Sequence, residues 1–226
     1  MNLELTQGVY GSMPIMFSVG GDSSYEEHGL AEQLNKTISR DLSLSGEFKI
    51  SQGDQFVPTM DKISQIQKKG ITSVGFLEIK NDGGDNYSAS LLFYDLMIDK
   101  NIDFTRPKVI TRYNFNKVNA KDFAHVCADD LYKYITGVDG VFTTKLAYVV
   151  HKKRPGMGAI YNLEIANYDG SDSTVILESY EPIMSPSWSN DGSKLAYVSF
   201  EGKKSSVFVQ NIATGAREKI SDINGV

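Results

Sequence analysis

Apolar residues recur in two different rhythms along this 226-residue chain, and the change of rhythm falls near residue 140. In the first part, Leu30, Leu34, Ile38 and Leu42 return every four residues, one stripe of an amphipathic helix. Asp22 to Ser24 offers N-cap residues before that stripe, and Gly46 stands where it ends. A shorter helix is expected over Met60 to Lys69, with Ile63 and Ile66 inward and Gly70 at its C-terminal end. A third follows in "AKDFAHVCADDLYKYITG", where Phe123, Ala124, Cys127, Leu131 and Ile135 share helical spacing before Gly137. Between the helices lie strand-like runs: "LELTQGV" (Leu3–Val9), "PIMFSVG", "EFKIS", "TSVGFLEI", "NYSASLLFYDLM" and "KVITRYNF". "NDGGDN" (Asn81–Asn86) joins two of them, a hairpin signal because Asn and Gly tolerate positive φ. Residues 1–140 therefore read as an α+β domain, a sheet covered by helices.

From Val141 onward the helical rhythm stops and short strands alternate with Gly, Asp, Asn and Ser turns. "TKLAYVV" at Lys145 returns as "SKLAYVS" at Lys194, and each copy is followed by an apolar strand and a turn on Asp-Gly or Thr-Gly. Four strands repeating at about 40–50 residues are the mark of a β-propeller blade. The longer "HKKRPGMGAI" in the first copy reads as a loop that accounts for a slip in register. In the second copy, "MSPSWS" is expected as the inner strand and "KLAYVSF" as the next. "NDG" (Asn190–Gly192) is the turn between them, with Trp188 and Tyr197 packing one blade on another.

Composition narrows the chemistry. The chain is 41% hydrophobic and 23% charged with a formal net charge of −5, an ordinary globular balance. Without a basic tract to neutralise phosphates, nucleic acid is not an expected partner. No run reaches the roughly 18 apolar residues of a bilayer span, and "MNLELTQGVY" shows no export signal. The single Cys127 excludes an internal disulfide and sits on an apolar helix stripe, so it reads as a buried small hydrophobe. "SPSWSNDGSK" holds Ser and Asp, but a serine nucleophile needs a base within reach and an oxyanion hole. No G-x-S-x-G elbow occurs, and His28, His125 and His151 fall in a helix, a helix and a loop. Asp191 is better explained as a turn former. "NDGGDN" and "YDGSDS" (Tyr168–Ser173) are rich in oxygen donors but lack the twelve-residue calcium-loop arrangement, so no metal or cofactor is expected.

"MSPSWSNDGSKLAYVSFE" and "LYKYITGVDGVFTTKLAYV", together with "GVYGSMP" (Gly8–Pro14) leading into an apolar strand, resemble the TolB family of the Tol–Pal envelope system. The resemblance covers essentially the whole chain. It departs from the family where "SVGGDSS" closes the first apolar strand with no second proline, and where Asn190 stands in place of the usual Pro. It implies an α+β domain at 1–140 followed at 141–226 by about two blades of a six-bladed propeller, the remaining blades lying in sequence beyond it. Six blades would need about 250 residues. It further implies a periplasmic, non-enzymatic protein with any export signal removed, monomeric when full length and not inserted in the membrane. Two protein partners follow from it: TolA, engaged by the amino-terminal segment, and the lipoprotein Pal, engaged by the propeller. The segment that corresponds to the first is Leu3, Glu4, Leu5, Thr6, Gln7 and Gly8, a short alternating strand able to add to a partner's sheet edge. For the second, blade geometry places the second-to-third and blade-to-blade loops on one face, giving Glu181, Pro182, Glu201, Lys203, Lys204 and Asn224. The competing class is a propeller-bearing serine peptidase of the prolyl-oligopeptidase kind, with its hydrolase domain elsewhere.

Overall fold

A computed structural model describes residues 11–21, 25–52, 60–97, 107–154 and 158–222. The chain divides into two compact units, Met1–Thr143 and Thr144–Val226. The expected strand Leu3–Val9 and the cap at Asp22 to Ser24 lie outside the described residues.

The first unit is built on a five-stranded sheet of order β2-β1-β3-β4-β5. Its strands are β1 (Met13–Gly21), β2 (Phe48–Gln52), β3 (Ser73–Gly83), β4 (Asn86–Asp95) and β5 (Lys108–Asn116). β1 pairs in parallel with both β2 and β3, whereas β3, β4 and β5 form an antiparallel meander. The two parallel crossovers run in opposite directions along the sheet, from β1 to β2 through α1 (Tyr25–Leu44) and from β2 past β1 to β3 through α2 (Met60–Lys68). Right-handed crossovers of opposite direction put their helices on opposite faces of the sheet. β1 is accordingly buried on both sides: Ile15 and Phe17 are fully buried, and Met16 packs with Ile63 and Ile66 of α2. The Leu30, Leu34, Ile38 and Leu42 stripe of α1 is buried as its spacing requires.

α3 (Ala120–Thr136) lies over the other face, where Gly75 of β3 leaves room. A Cβ there would sit 2.9 Å from both Leu131 and Phe17 side chains. Phe123, Ala124, Cys127 and Leu131 of α3 are buried, and Gly137 ends it at φ 76° with its N–H on the Lys133 carbonyl. The β3–β4 turn is held by Asn81, whose Oδ1 accepts from the Gly83 N–H at 2.7 Å while Gly83 and Gly84 take positive φ.

The second unit is all β. β6 (Lys145–Arg154), β7 (Gly158–Asn167) and β8 (Thr174–Ser179) form one antiparallel sheet. β9 (Ile183–Trp188), β10 (Lys194–Ser199), β11 (Ser206–Asn211) and β12 (Arg217–Asp222) form a second, in the order β12-β11-β10-β9. The two Lys of the sequence repeat, Lys145 and Lys194, both open the strand that follows the inner-strand position. The second sheet is thus one full four-stranded blade, and the first has three strands among the described residues. Leu163 of the first sheet packs with Ile183, Leu195, Tyr197 and Phe208 of the second. Gln210, 4% exposed, ties the sheets by donating to the Ile176 carbonyl at 3.2 Å and accepting from the Tyr197 hydroxyl at 3.0 Å.

Two local readings change. "HKKR" is not loop: β6 continues through it, pairing His151 with Tyr161 and Arg154 with Gly158, so His151 stands on a strand. The His151 ring stacks on Tyr161 with centroids 4.8 Å apart, a cross-strand contact that favours extension. The inner strand β9 carries a bulge, in which Ser185 and Pro186 stand between the pairs Met184–Val198 and Ser187–Ala196, opposite Tyr197 alone. Ser185 takes φ 52°, and Pro186 occupies a position where no ladder donor is needed.

Candidate functional site

Register fixes which loops of the second unit share an end. Arg154 pairs with Gly158 and Tyr161 with Ser179, so the end of β6, the start of β7 and the end of β8 lie together. Only three residues then separate β8 from β9, and Ile183 pairs with Ser199 at the end of β10. The Phe200 N–H donates to the Pro182 carbonyl at 3.1 Å, fastening the blade-to-blade link to the β10–β11 turn. Five of the sequence-derived residues, Glu181, Pro182, Glu201, Lys203 and Lys204, therefore meet at this one end. Asn224 and the whole of Leu3, Glu4, Leu5, Thr6, Gln7 and Gly8 lie outside the described residues.

The local chemistry explains the shape of this end. Ser179 and Ser199 each turn a hydroxyl to the N–H two residues on, that of Glu181 at 3.0 Å and that of Glu201 at 3.3 Å. These are hydroxyl-held turns that free the next residues from the ladder. Lys203 takes φ 58° and donates its N–H to the Phe200 carbonyl at 2.9 Å. Glu201 receives Arg217 Nη2 at 2.6 Å on both carboxylate oxygens. The guanidinium lies 4.8 Å from the Phe208 ring centroid, and Glu201, ahead of Tyr197, raises the Arg217 pKa further above its ordinary value. Sequence spacing gives no sign of this clamp, because residues 201 and 217 meet only through the pairing of β10, β11 and β12.

At the opposite end, Asp191 is absorbed by its turn. Its oxygens accept the Ser189 hydroxyl at 2.6 Å, the Ser193 N–H at 3.1 Å and the Ser193 hydroxyl at 2.8 Å. The Ser189 hydroxyl first, then the Ser193 donors, hold this carboxyl down to about 2. "YDGSDS" is used likewise: Asp169 accepts from the Ser171 N–H at 2.9 Å, and Asp172 from Asn167 Nδ2 at 2.9 Å. Glu164 is held below the usual carboxylate range, chiefly by the Ser173 hydroxyl donating at 2.7 Å, with Lys152 as a lesser contribution. In the first unit, Asp82, Asn86, Tyr87, Asn114, Phe115 and Asn116 line an open depression of about 410 Å³ beside the "NDGGDN" turn. Among the described residues no three His, Cys, Asp or Glu side chains are grouped as metal ligands.

The ionisable groups inside the first unit serve packing. His125 Nδ1 lies 2.6 Å from Asp41 Oδ2, with His125 3% and Asp41 0% exposed, joining α3 to α1. Burial pushes the Cys127 thiol well above its ordinary pKa, so it is held as a neutral thiol. Tyr113 donates to Asp130 at 2.6 Å. Sequence reading missed the Asp41–His125 pair because its partners stand 84 positions apart.

Comparison with known proteins matches this architecture. Residues 132–226 match the family described as the TolB beta propeller domain, the match beginning within α3. The Tol-Pal system protein TolB of Legionella pneumophila (strain Philadelphia 1) is 35% identical over 226 residues, covering 100% of this chain and 51% of that protein. The protein of the same name from Methylococcus capsulatus is 33% identical over 232 residues, covering 100% of the chain and 52% of its own length. Among solved structures, TolB from Acinetobacter baumannii superposes with a TM-score of 0.73 at 26% identity over 96% of this chain and 51% of that one. The chain spans about half the length of the curated relatives it matches. Over its whole length the chain is similar in sequence to proteins named Tol-Pal system protein TolB, and its fold is similar to that of a solved TolB.

Proposed function

We propose that this chain is a non-enzymatic protein–protein interaction component of a Tol–Pal cell-envelope system, working in the periplasm of a Gram-negative bacterium. In this reading the amino-terminal domain, taken as 1–140, carries the contact to the inner-membrane partner TolA. The propeller portion, taken as 141–226, contributes to the contact with the outer-membrane lipoprotein Pal. The observation that carries it is similarity along the entire chain to proteins named Tol-Pal system protein TolB.

Leu3 to Gly8 would add to a sheet edge of TolA, backbone hydrogen bonds giving affinity and Leu3 and Leu5 giving side-chain selectivity. Glu181, Pro182, Glu201, Lys203 and Lys204 are the described candidates for Pal contact, and Asn224 is a sixth candidate outside the described residues. No membrane insertion is needed for either role, and the full-length protein acts as a monomer. The Ser and Asp of "SPSWSNDGSK" serve the blade, as their hydrogen bonds within one turn support.

Two measurements test the reading together. Titration calorimetry with TolA and with Pal of the same organism should show binding of both. Deleting residues 1–8 should abolish the TolA interaction and leave that with Pal intact. Undiminished TolA affinity after the deletion would remove the amino-terminal assignment.

A further inference from the structure

The depression beside the "NDGGDN" turn of the first unit has a chemistry that the partner contacts proposed above leave unused. Asp82, Asn86, Tyr87, Asn114, Phe115 and Asn116 line its roughly 410 Å³, and no lysine, arginine or histidine is among them. Anions such as phosphate are held most strongly by charge-assisted hydrogen bonds from such cations. A divalent cation needs several charged or carbonyl oxygens converging on one point, and no group of metal ligands stands here among the described residues. One carboxylate and three amides instead offer neutral hydrogen bonding. Each amide presents a carbonyl oxygen and an NH2 group side by side, and Asp82 adds acceptors.

These groups are held in place before any ligand arrives. The Ser88 hydroxyl donates to Asp82 Oδ1 at 3.2 Å, and Asn81 fastens the turn that carries Asp82. Asn116 Nδ2 donates to Asn86 Oδ1 at 3.2 Å, while Asn116 Oδ1 accepts from the Val118 N–H at 3.0 Å. The Asn114 amide, Asn86 Nδ2 and Asp82 Oδ2 have no hydrogen-bond partner among the described residues. Fixed groups with spare donors and acceptors lose little conformational freedom on binding.

The polar surface continues away from the turn. Asn86, Ser88 and Ser90 alternate along β4 and so share one face. Register sets Asn116, Asn114 and Arg112 beside them on β5, and Lys80 and Glu78 beside the two serines on β3. Farther along, at Phe76 and Leu92, this face is apolar and packs with Ile63 and Ile66 of α2. On the polar part Glu78 and Asp82 balance Lys80 and Arg112, so the surface carries no net charge. It suits a ligand longer than the depression, rich in hydroxyl groups and without charge of its own.

We infer that this depression binds a neutral oligosaccharide, with Asp82, Asn86 and Asn114 hydrogen-bonding its hydroxyl groups. Asn116 is a positioning residue, acting through Asn86. Adjacent sugar hydroxyls each donate and accept, which matches amides that present both functions side by side. The site stands apart from the contacts proposed for TolA and Pal and does not depend on them.

Saturation-transfer difference NMR on the whole chain tests this. The protein is kept at about 5 µM, low enough to hold apolar sheet faces apart, with chitotetraose, cellotetraose or maltotetraose in excess. At least one sugar should give a saturable signal with a dissociation constant of about 1 mM, the weak end of the affinity scale. The three probes separate N-acetylated from plain chains and straight from bent ones, and a response to any of them supports the site. That affinity should stay within about twofold between low and high salt, because a neutral ligand engages no charge. Asn114→Ala and Asn86→Ala should each weaken it about threefold to tenfold, the worth of one neutral hydrogen bond. Asp82→Asn should stay within about threefold, since it keeps an acceptor oxygen. Asn190→Ala, on an exposed turn of the second unit, should change nothing. Absence of signal from all three sugars would overturn the inference, as would displacement of the sugar by inorganic phosphate. Undiminished binding by both Asn114→Ala and Asn86→Ala would overturn it equally. The sugar, salt and phosphate titrations need no variant, so misfolding of a substituted chain leaves the question decided.

Discussion

At Asp41 a carboxylate with no solvent exposure lies 2.6 Å from the ring of His125, itself 3% exposed. Removing one partner of a buried ionic or strongly hydrogen-bonded pair leaves the other desolvated and uncompensated, which costs about 3–5 kcal/mol. Asp41→Ala should therefore lower the urea midpoint of the first unit by an amount corresponding to about 3 kcal/mol. Asp41→Asn, which keeps one hydrogen bond to the imidazole, should lose less. Equal losses for the two would show that volume and not pairing decides. Asp191 gives a second expectation with a definite sign. Its carboxyl is lowered from 3.8 to about 2 by the Ser189 hydroxyl first and the Ser193 donors next. A depressed carboxylate contributes stability above its unfolded value of 3.8 and loses it as pH falls towards about 2. Ser189→Ala removes the largest contribution, so carboxyl-detected NMR titration should show the Asp191 midpoint moving up. An unmoved midpoint would place the cause elsewhere. Neither Asp41 nor Ser189 announces its role in sequence: the first needs a partner 84 residues away, and the second needs the turn to be closed.

Among the elements, those whose packing partner is a periodic stripe were legible from residue order alone. The four-residue recurrence from Leu30 to Leu42 and the Gly137 stop needed nothing beyond helix geometry. β6 was not legible past Val150, because "HKKRPG" has the composition of a loop. Its extension depends on a strand it meets only after the turn, through pairs such as His151–Tyr161. The segment after α3 is another case. "GVDGVF" has neither helical nor strand rhythm, yet Asp129 Oδ1 accepts from the Phe142 N–H at 2.8 Å. Its Oδ2 takes the Thr143 N–H at 3.1 Å and the Thr143 hydroxyl at 2.7 Å. Phe142 is 1% exposed, edge-on to Tyr132 at 5.6 Å. The segment is thus laid along α3 as part of the first unit, and Gly140 is what lets it approach. A Cβ at that position would stand 2.1 Å from Asp129 Oδ1 and 2.8 Å from its Cα. Gly140→Ala must push the strap off the helix, with an expected loss of about 2 kcal/mol. Amide exchange at Phe142 and Thr143 should speed up in the same variant. Exchange that stays slow would mean the strap is held by Phe142 burial alone.

For the second unit as a whole, the two faces of the β9–β12 sheet differ in a way that has consequences in solution. The face turned to β6–β8 is closed: Leu195, Tyr197 and Ser199 are at most 1% exposed, with Phe208 at 8% and Gln210 at 4%. The other face carries Ala196 opposite Val209 and Val198 opposite Val207, all only half-buried, with Ile220 59% and Met184 52% exposed. β6 is paired only with β7 among the described residues, so its other edge presents backbone donors and acceptors over a ten-residue strand. The sequence repeat conveys the blade but not this asymmetry, because the same alternating residues would serve equally with a neighbour on either side. Apolar sheet faces and unpaired edges both associate unless covered or charged. The 226-residue chain on its own should therefore sediment as dimers and larger species as concentration rises into the tens of micromolar, a range estimated from half-exposed aliphatic faces. Val198→Lys with Val209→Lys places like charges on the open face without touching the closed one, and should shift the distribution towards monomer. Leu146→Lys on β6 tests the edge instead. If the face variant leaves association unchanged and the edge variant abolishes it, backbone pairing along β6 is the dominant contact. If the unaltered chain stays monomeric throughout, the half-buried valines are insufficient to drive association, and the exposed area rather than its apolar character sets the limit.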